Sequence, residues 1–247
     1  MISVIIPSYN REDTIKRAVE SVLKQSGEYD LELIIVDDCS SDGTVETIKS
    51  LMNKDKRIKL IKLEKNKGAN FARNVGIEHS SGNIIAFQDS DDEWLEGKLE
   101  EQMEFINQGF QFITTSFYKI DGRKTEKITL NSGNKVISQK DILPVNYLST
   151  QTFLMTRNVI DEFKFDIDMP RLQDWDFVLR VMEKYDIFYI DKPYVNQYLQ
   201  ANSISKNQKK YYKAYKMLFS NYSRYISDSK KKMSEFYYHL GKASENA

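Results

Sequence analysis

Three carboxylates fall within four residues at Asp89-Ser90-Asp91-Asp92. Like charges this close repel one another, and a divalent cation relieves the repulsion. Hard oxygen donors suit Mn²⁺ or Mg²⁺, ions that bridge protein carboxylates to nucleotide phosphates. A solvated acidic loop capping the following helix would use the same residues, so the run alone leaves both readings open. Asp37-Asp38 opens a stretch rich in turn formers, DDCSSDG. It reads either as a turn or as a carboxylate facing the donors of a base or ribose. Gln173-Asp174-Trp175-Asp176 precedes an amphipathic run. Asp174 there is either a helix cap or a general base for an acceptor hydroxyl. Trp175 reads as core, or as the floor of an acceptor pocket.

Other residue types exclude chemistry. His79 stands at a helix end, where a structural role is expected. With His239 far away in the tail and Cys39 the one cysteine, neither a zinc site nor a Cys-His dyad is formed. Gly43, Gly68 and Gly76 match neither the dinucleotide fingerprint nor the P-loop pattern.

The elements that must carry these residues follow from hydrophobic period. Ser3–Pro7, Leu31–Val36, Ile58–Leu63 and Ile84–Phe87 read as strands. Between them, Asp13–Lys24, the run opened by Ser41-Asp42-Gly43, and Gly68–Glu78 read as helices. In the last of these, Phe71, Ala72, Val75 and Gly76 are expected inward. This alternation demands a mostly parallel sheet with helices on its faces. Ligands bind beyond the carboxyl ends of such strands. Asn10, Asp37-Asp38 and Asp89 to Asp92 each follow a strand, so three strand ends deliver polar groups to one edge. Farther on, Phe110–Ile120 and Gln151–Thr156 read as strands, and Asp121-Gly122 as a hairpin turn into Glu126–Leu130. Asp174–Glu183 reads as a helix. Ile187–Ile190 reads as a strand stopped by Asp191-Lys192-Pro193.

Composition sets the broad class. The chain has 247 residues, 40% hydrophobic and 29% charged, enough for one sizeable α/β core. Thirty-six basic and 36 acidic residues cancel, which argues against bulk nucleic-acid binding. The balance is uneven, however: from Lys206 onward ten basic residues face three acidic ones. A single cysteine makes the cytoplasm the natural compartment. No transmembrane run and no signal peptide are expected.

Five stretches together resemble glycosyltransferase family 2, in the family's order: VIIPSYNR from Val4, IVDDCSSDGT from Ile35, NKGANFARNVG from Asn66, IAFQDSDDEW from Ile85 and QDWDFVLR from Gln173. The resemblance covers about residues 1–204. It implies a GT-A fold, with a nucleotide-binding half at 1–109 and an acceptor-binding half at 110–204. It implies that Pro7, Tyr9 and Arg11 border the nucleotide pocket, that Asp38 faces the base, and that Asp37 shapes the turn. Asp89 and Asp91 would form the DxD element, Asp89 toward the ribose and Asp91 on the metal. Asp92 would support that site or orient the donor sugar, and Asp174 would be the base. The implied reaction is inverting transfer from a nucleotide-sugar, a UDP-sugar foremost, to a hydroxyl of a saccharide or lipid-linked acceptor. Surface-polysaccharide or cell-wall assembly is the implied setting. Two departures stand out. Gln173 replaces the family's usual Glu, and Gln200 stands where many members have His; both remain candidates for acceptor or donor-sugar contacts.

Two rival functions draw on similar residues. A sugar-1-phosphate nucleotidyltransferase would need a glycine- and basic-rich phosphate loop after the first strand, which SVIIPSYNRED lacks. A catalytically inactive nucleotide-sugar-binding domain would explain Gln173 and Gln200, but not the retention of Asp89, Asp91 and Asp174. The segment 205–247 is expected to form a basic, aromatic helical extension. Its Tyr211, Tyr215, Leu218, Tyr222 and Ile226 recur at helical spacing with lysines between them. Such a pair of helices packs on the catalytic domain or on a second subunit, or lies on an anionic membrane at the inner face of the cell.

Overall fold

The computed structural model describes residues 1–25, 29–199 and 208–245. Strand β1 (Ile2–Ser8) is buried along its whole length. Its Ile2, Val4 and Ile6 enter one apolar core, and Ile5 enters the other. A strand covered on both faces belongs at the centre of a sheet. β2 (Leu31–Asp37) and β4 (Ile84–Phe87) flank it in parallel, and β3 (Ile58–Lys62) lies outside β2. The exposed Lys59 and Lys62 and the half-buried residues between them mark β3 as the edge.

Helices α1 (Ile15–Leu23) and α2 (Thr44–Lys54) cover one face with Ile15, Val19, Val22 and Ile48. Helix α3 (Ala69–Glu78) covers the other face. It approaches so closely that a Cβ on Gly76 would sit 2.5 Å from the Ile5 side chain. The buried positions of α3 are Asn70, Ala72, Arg73, Gly76 and Ile77. Phe71 and Val75, expected inward, are only half-buried. The apolar period misleads there because two polar side chains, Asn70 and Arg73, occupy the inner stripe.

Beyond β4 the sheet turns mixed. β9 (Leu154–Thr156) pairs antiparallel with both β4 and β6 (Phe112–Asp121). β10 (Ile187–Tyr198) lies parallel to β6, and β5 (Glu93–Trp94) closes the edge against β10. The hairpin at Asp121-Gly122 leads into β7 (Lys124–Ile128), with Gly122 at φ +57°. β8 (Lys135–Ile137) pairs with β10. Two expectations need correction. Asp191-Lys192-Pro193 does not end β10: register shifts on either side of Pro193 absorb the missing N–H, and the strand runs on to Tyr198. Of the strand expected over Gln151–Thr156, the first part is a 3₁₀ turn, Thr150–Thr152.

Helix α4 (Lys98–Asn107) is the one that follows the acidic loop, while α5 (Gln139–Ile142) and α6 (Arg157–Glu162) lie outside the elements read from the sequence. Helix α7 (Gln173–Val181) follows Leu172, which holds a left-handed φ of +59°. Helices α8 (Gln208–Tyr222) and α9 (Lys230–Glu245) pack together. Their Tyr215, Leu218, Tyr222 and Phe236 join the same core as Trp175 and Phe177 of α7. The Trp175 ring lies 5.7 Å from that of Tyr215 and 6.4 Å from that of Phe236. The tail is thus built into the molecule. Among the described residues, no helix is long and apolar enough to cross a membrane.

Candidate active site

The loops after β1, β2 and β4 meet at one edge, where backbone and short side chains stitch them together. The Asn10 N–H donates to Ser40 Oγ at 2.9 Å, and Asn10 Oδ1 accepts from the Ser41 N–H at 2.9 Å. Asn10 sits at φ +51°, a conformation that Asn tolerates better than most residues. The Asp38 N–H donates to the Ser8 carbonyl at 2.8 Å, and Thr14 Oγ1 donates to the Ser90 carbonyl at 3.0 Å.

Each expected donor-side residue lies at or beside this edge. Pro7 is buried in β1, and Tyr9 is 44% exposed at the rim. Arg11 folds back to donate to the Tyr9 and Asn10 carbonyls, and its Nε lies 3.5 Å from Asp91. Asp37 accepts the Ser40 N–H at 3.1 Å, as a turn former should, while its other oxygen is buried without a partner. Asp38 accepts the N–H groups of Lys67 and Gly68 at 2.7 and 2.8 Å. It thereby locks the entry to α3, where Gly68 takes φ +89°. Both Asp38 oxygens are engaged in bracing this loop.

The three acidic residues after β4 occupy different surroundings. Asp89 is a quarter exposed and accepts from Arg73 Nη2 at 2.8 Å. Asp91 has its carboxyl pushed up by burial and by the charge of Asp89, with Arg11 opposing. Asp92 is buried: its oxygens accept from Gln151 Nε2 at 2.7 Å and the Tyr198 N–H at 2.8 Å. Burial, then Asp91 and Asp89, push its carboxyl well above the ordinary range. Asp92 therefore ties the acidic loop to β10 and to the 3₁₀ turn. Arg73 completes the group. It is 3% exposed, donates also to Asn70 Oδ1 at 3.2 Å, and lies over the Phe165 ring. Its role was not read from the sequence, although a charged residue on the inner stripe of α3 was the available signal.

Asp174 lies in the first turn of α7. Its Oδ1 accepts its neighbour's N–H, from Trp175, at 2.8 Å and Asn146 Nδ2 at 3.2 Å. Part of its surface reaches solvent, yet the surrounding atoms desolvate it. Burial first, and the charge of Asp89 with it, push the carboxyl up to about 6; Arg73 pulls the other way. The link through Asp89 and Arg73 joins Asp174 electrostatically to the acidic edge. A carboxylate with this affinity for protons is suited to general-base work near neutral pH. The left-handed Leu172 immediately before α7 is a strained position of the kind that gathers at functional sites.

Asp174 and Trp175 also line a cavity of about 320 Å³, together with Asn146 and Gln197. Gln173 opens α7 beside it. Gln200 lies outside the described residues. His79 caps the far end of α3, where its Nδ1 lies 2.9 Å from the Val75 carbonyl. No group of three or more His, Cys, Asp or Glu among the described residues is arranged to hold a metal by itself.

Comparison with known proteins gives this arrangement a context. Residues 3–163 match the model described as glycosyl transferase family 2. A Bacillus subtilis protein named for teichuronic acid biosynthesis, the glycosyltransferase TuaG, is 35% identical over 215 residues, spanning 84% of this chain and 82% of that one. The Escherichia coli protein WfgD, named as a UDP-Glc:α-D-GlcNAc-diphosphoundecaprenol β-1,3-glucosyltransferase, is 33% identical over 210 residues, 84% and 81% of the two chains. Among solved structures, residues 1–349 of S. aureus TarS in complex with UDP-GlcNAc superpose with a TM-score of 0.74 at 22% identity, covering 88% of this chain and 65% of that one. The superposition bears out the α/β GT-A architecture.

Proposed function

Because the chain belongs to glycosyl transferase family 2, we propose that it moves a sugar from a UDP-sugar onto a saccharide hydroxyl with inversion, Asp174 acting as the base. The observation that carries this is the position of Asp174. Its carboxyl lines the cavity, feels the charges of Asp89 and Arg73 at the acidic edge, and is raised to about 6, chiefly by burial. Nucleotide recognition belongs to the edge of Pro7, Tyr9, Arg11, Asp37, Asp38 and Asp89. In the transfer, an acceptor oxygen forms a bond to the anomeric carbon as the bond to the β-phosphate oxygen breaks. The hydroxyl proton passes to Asp174, and the electron pair of the broken bond leaves with UDP. An α-linked donor then gives a β-glycoside.

Asp89 and Asp91 fit a divalent cation, Mn²⁺ or Mg²⁺. Burial and the charge of Asp89 push the Asp91 carboxyl up here, and ions of this class are held by one or two protein carboxylates plus substrate phosphates rather than by a full protein cage. When bound, such an ion would neutralise charge on the departing diphosphate. On the protein side, Arg73 orients Asp89, Arg11 faces Asp91, and Asp92 holds the loop.

The names of the relatives support an acceptor linked to a lipid diphosphate, used in surface-polysaccharide or cell-wall assembly. A cytoplasmic location, with the tail's outer face against the inner membrane leaflet, accords with such an acceptor. The test is UDP release from UDP-Glc and UDP-GlcNAc with Mn²⁺, with and without saccharide acceptors, followed by the anomeric coupling of the product. Hydrolysis alone with every acceptor, or an α-linked product, would overturn the proposal.

A further inference from the structure

The cavity beside Asp174 is walled in part by the tail. Tyr211 and Tyr215 of α8 and His239 of α9 line it, together with Lys119 of β6. The wall is held firmly. Tyr215 donates its hydroxyl proton to the Pro144 carbonyl at 2.8 Å, and its ring lies 5.7 Å from that of Trp175. Tyr211 stands 5.7 Å from Tyr215, with the Arg171 guanidinium 4.8 Å from its ring centre. The His239 ring is 6.3 Å from that of Tyr215. Tyr211 and His239 are half-buried, so they belong to the mouth rather than to the core.

The chemistry of this lining is selective. Ring faces accept the C–H faces of a pyranose, and the amides of Asn146 and Gln197 offer donors and acceptors to its hydroxyls. About 320 Å³ is at the small end of the roughly 300–1,000 Å³ usual for small-molecule sites. That room suits a terminal sugar and excludes a long polyprenyl chain. Asp174 of α7 lines the same cavity, so a sugar seated here presents a hydroxyl to it.

We infer that α8 and α9 are the acceptor-selecting wall of the enzyme, with Tyr211 and His239 as specificity-determining contacts to the terminal sugar of a saccharide acceptor. The inference rests on the proposed transferase function but is tested apart from it. The full chain, with UDP present, is screened by saturation-transfer NMR against methyl and p-nitrophenyl pyranosides of glucose, galactose and their N-acetylamino forms. UDP affinity is measured separately by calorimetry. At least one pyranoside should bind. Tyr211→Ala and His239→Ala should each weaken that binding about tenfold or more while UDP affinity and melting temperature hold, and Tyr211→Phe should keep it. The inference is overturned if no pyranoside binds the unaltered chain, or if both alanine variants bind as the unaltered chain does. Failure of the unaltered chain to bind UDP would instead remove the donor assignment on which the inference stands.

Discussion

Arg73 Nη2 lies 2.8 Å from Asp89 Oδ1, joining the inner stripe of α3 to the loop after β4. The guanidinium is almost fully buried, and its Nε has no partner. The pair therefore fixes where Asp89 stands relative to the loops after β1 and β2, and it sets part of the field felt by Asp174.

Arg73→Met should loosen both ends of that link. Removing one member of a buried pair costs about 3–5 kcal/mol, and the partial exposure of Asp89 lowers this to ~2–3 kcal/mol. UDP affinity should fall about tenfold or more through the misplaced Asp89. The Asp174 carboxyl should also rise further, because Arg73 is the charge that lowers it. Thermal melting and UDP calorimetry check the first two effects. An unchanged melting temperature together with unchanged UDP affinity would mean that the pair positions nothing.

Asp174→Asn should separate catalysis from stability. Transfer should drop by about two to four orders of magnitude, the scale of a general base. Stability should move the other way at neutral pH. The folded carboxyl titrates near 6 and the ordinary value is 3.8, so the folded protein holds this proton more tightly. Stability is therefore lost as pH rises from about 4 to 6, and the charged form is a standing penalty above that. At ~1.4 kcal/mol per unit the penalty is at most ~3 kcal/mol. The variant should melt higher than the unaltered protein at pH 7.5, with the difference shrinking toward pH 4. In the unaltered enzyme, kcat/KM should rise with pH through about 6. A flat profile from 5 to 8 would assign deprotonation elsewhere.

Asp91→Ala should act through the cation and not through the fold. Asp91 is partly exposed on a loop, and its charge is disfavoured by burial and by Asp89, so its removal should leave melting nearly unchanged. Transfer should fall by about two orders of magnitude or more, since a bound cation contributes several kcal/mol to the transition state. EDTA should reduce the unaltered enzyme to a similar level, with Mn²⁺ or Mg²⁺ restoring it. Full turnover in EDTA would remove the metal from the mechanism.

The parallel half of the fold was readable because strands β1, β2 and β4 are dominated by apolar residues, interrupted internally only by Ser3 and Glu32, and end in polar turns. That order alone put Asn10, Asp37 and Asp89 at one edge. What those residues do there was less readable. Asp38 spends both oxygens on the entry to α3, and Asp92 spends both on Gln151 and Tyr198, partners 29 or more positions away in sequence. Local pattern carries no trace of such long-range bonds. The same holds for Arg73, which reads as a break in an apolar stripe until Asp89 appears opposite it. β10 hid behind Pro193 because a register shift, invisible in sequence, accommodates it. The tail's period was visible, but its target was not: Trp175 and Phe236 are 61 positions apart and stack at 15°.

That stacking decides how the tail's outer face must be tested. Ending the chain before α8 would uncover Trp175 and the core around it, so a truncated protein would report on folding, not on surfaces. The outer face offers a cleaner comparison. Tyr237 and Tyr238 are 56% and 63% exposed on α9, and Lys230, Lys231 and Lys242 are exposed on the same helix. Aromatic rings with lysines beside them suit the headgroup region of an anionic bilayer, where each cation contributes about 1 kcal/mol. The full chain should float with vesicles containing anionic phosphatidylglycerol at low salt, and less so at high salt as the charges are screened. Replacing Lys230 and Lys231 with Glu, and Tyr237 and Tyr238 with Ser, should abolish flotation without lowering the melting temperature, because none of the four side chains is buried in the core. A full chain that stays at the bottom of the gradient with anionic vesicles at low salt would show that this face does not bind membranes.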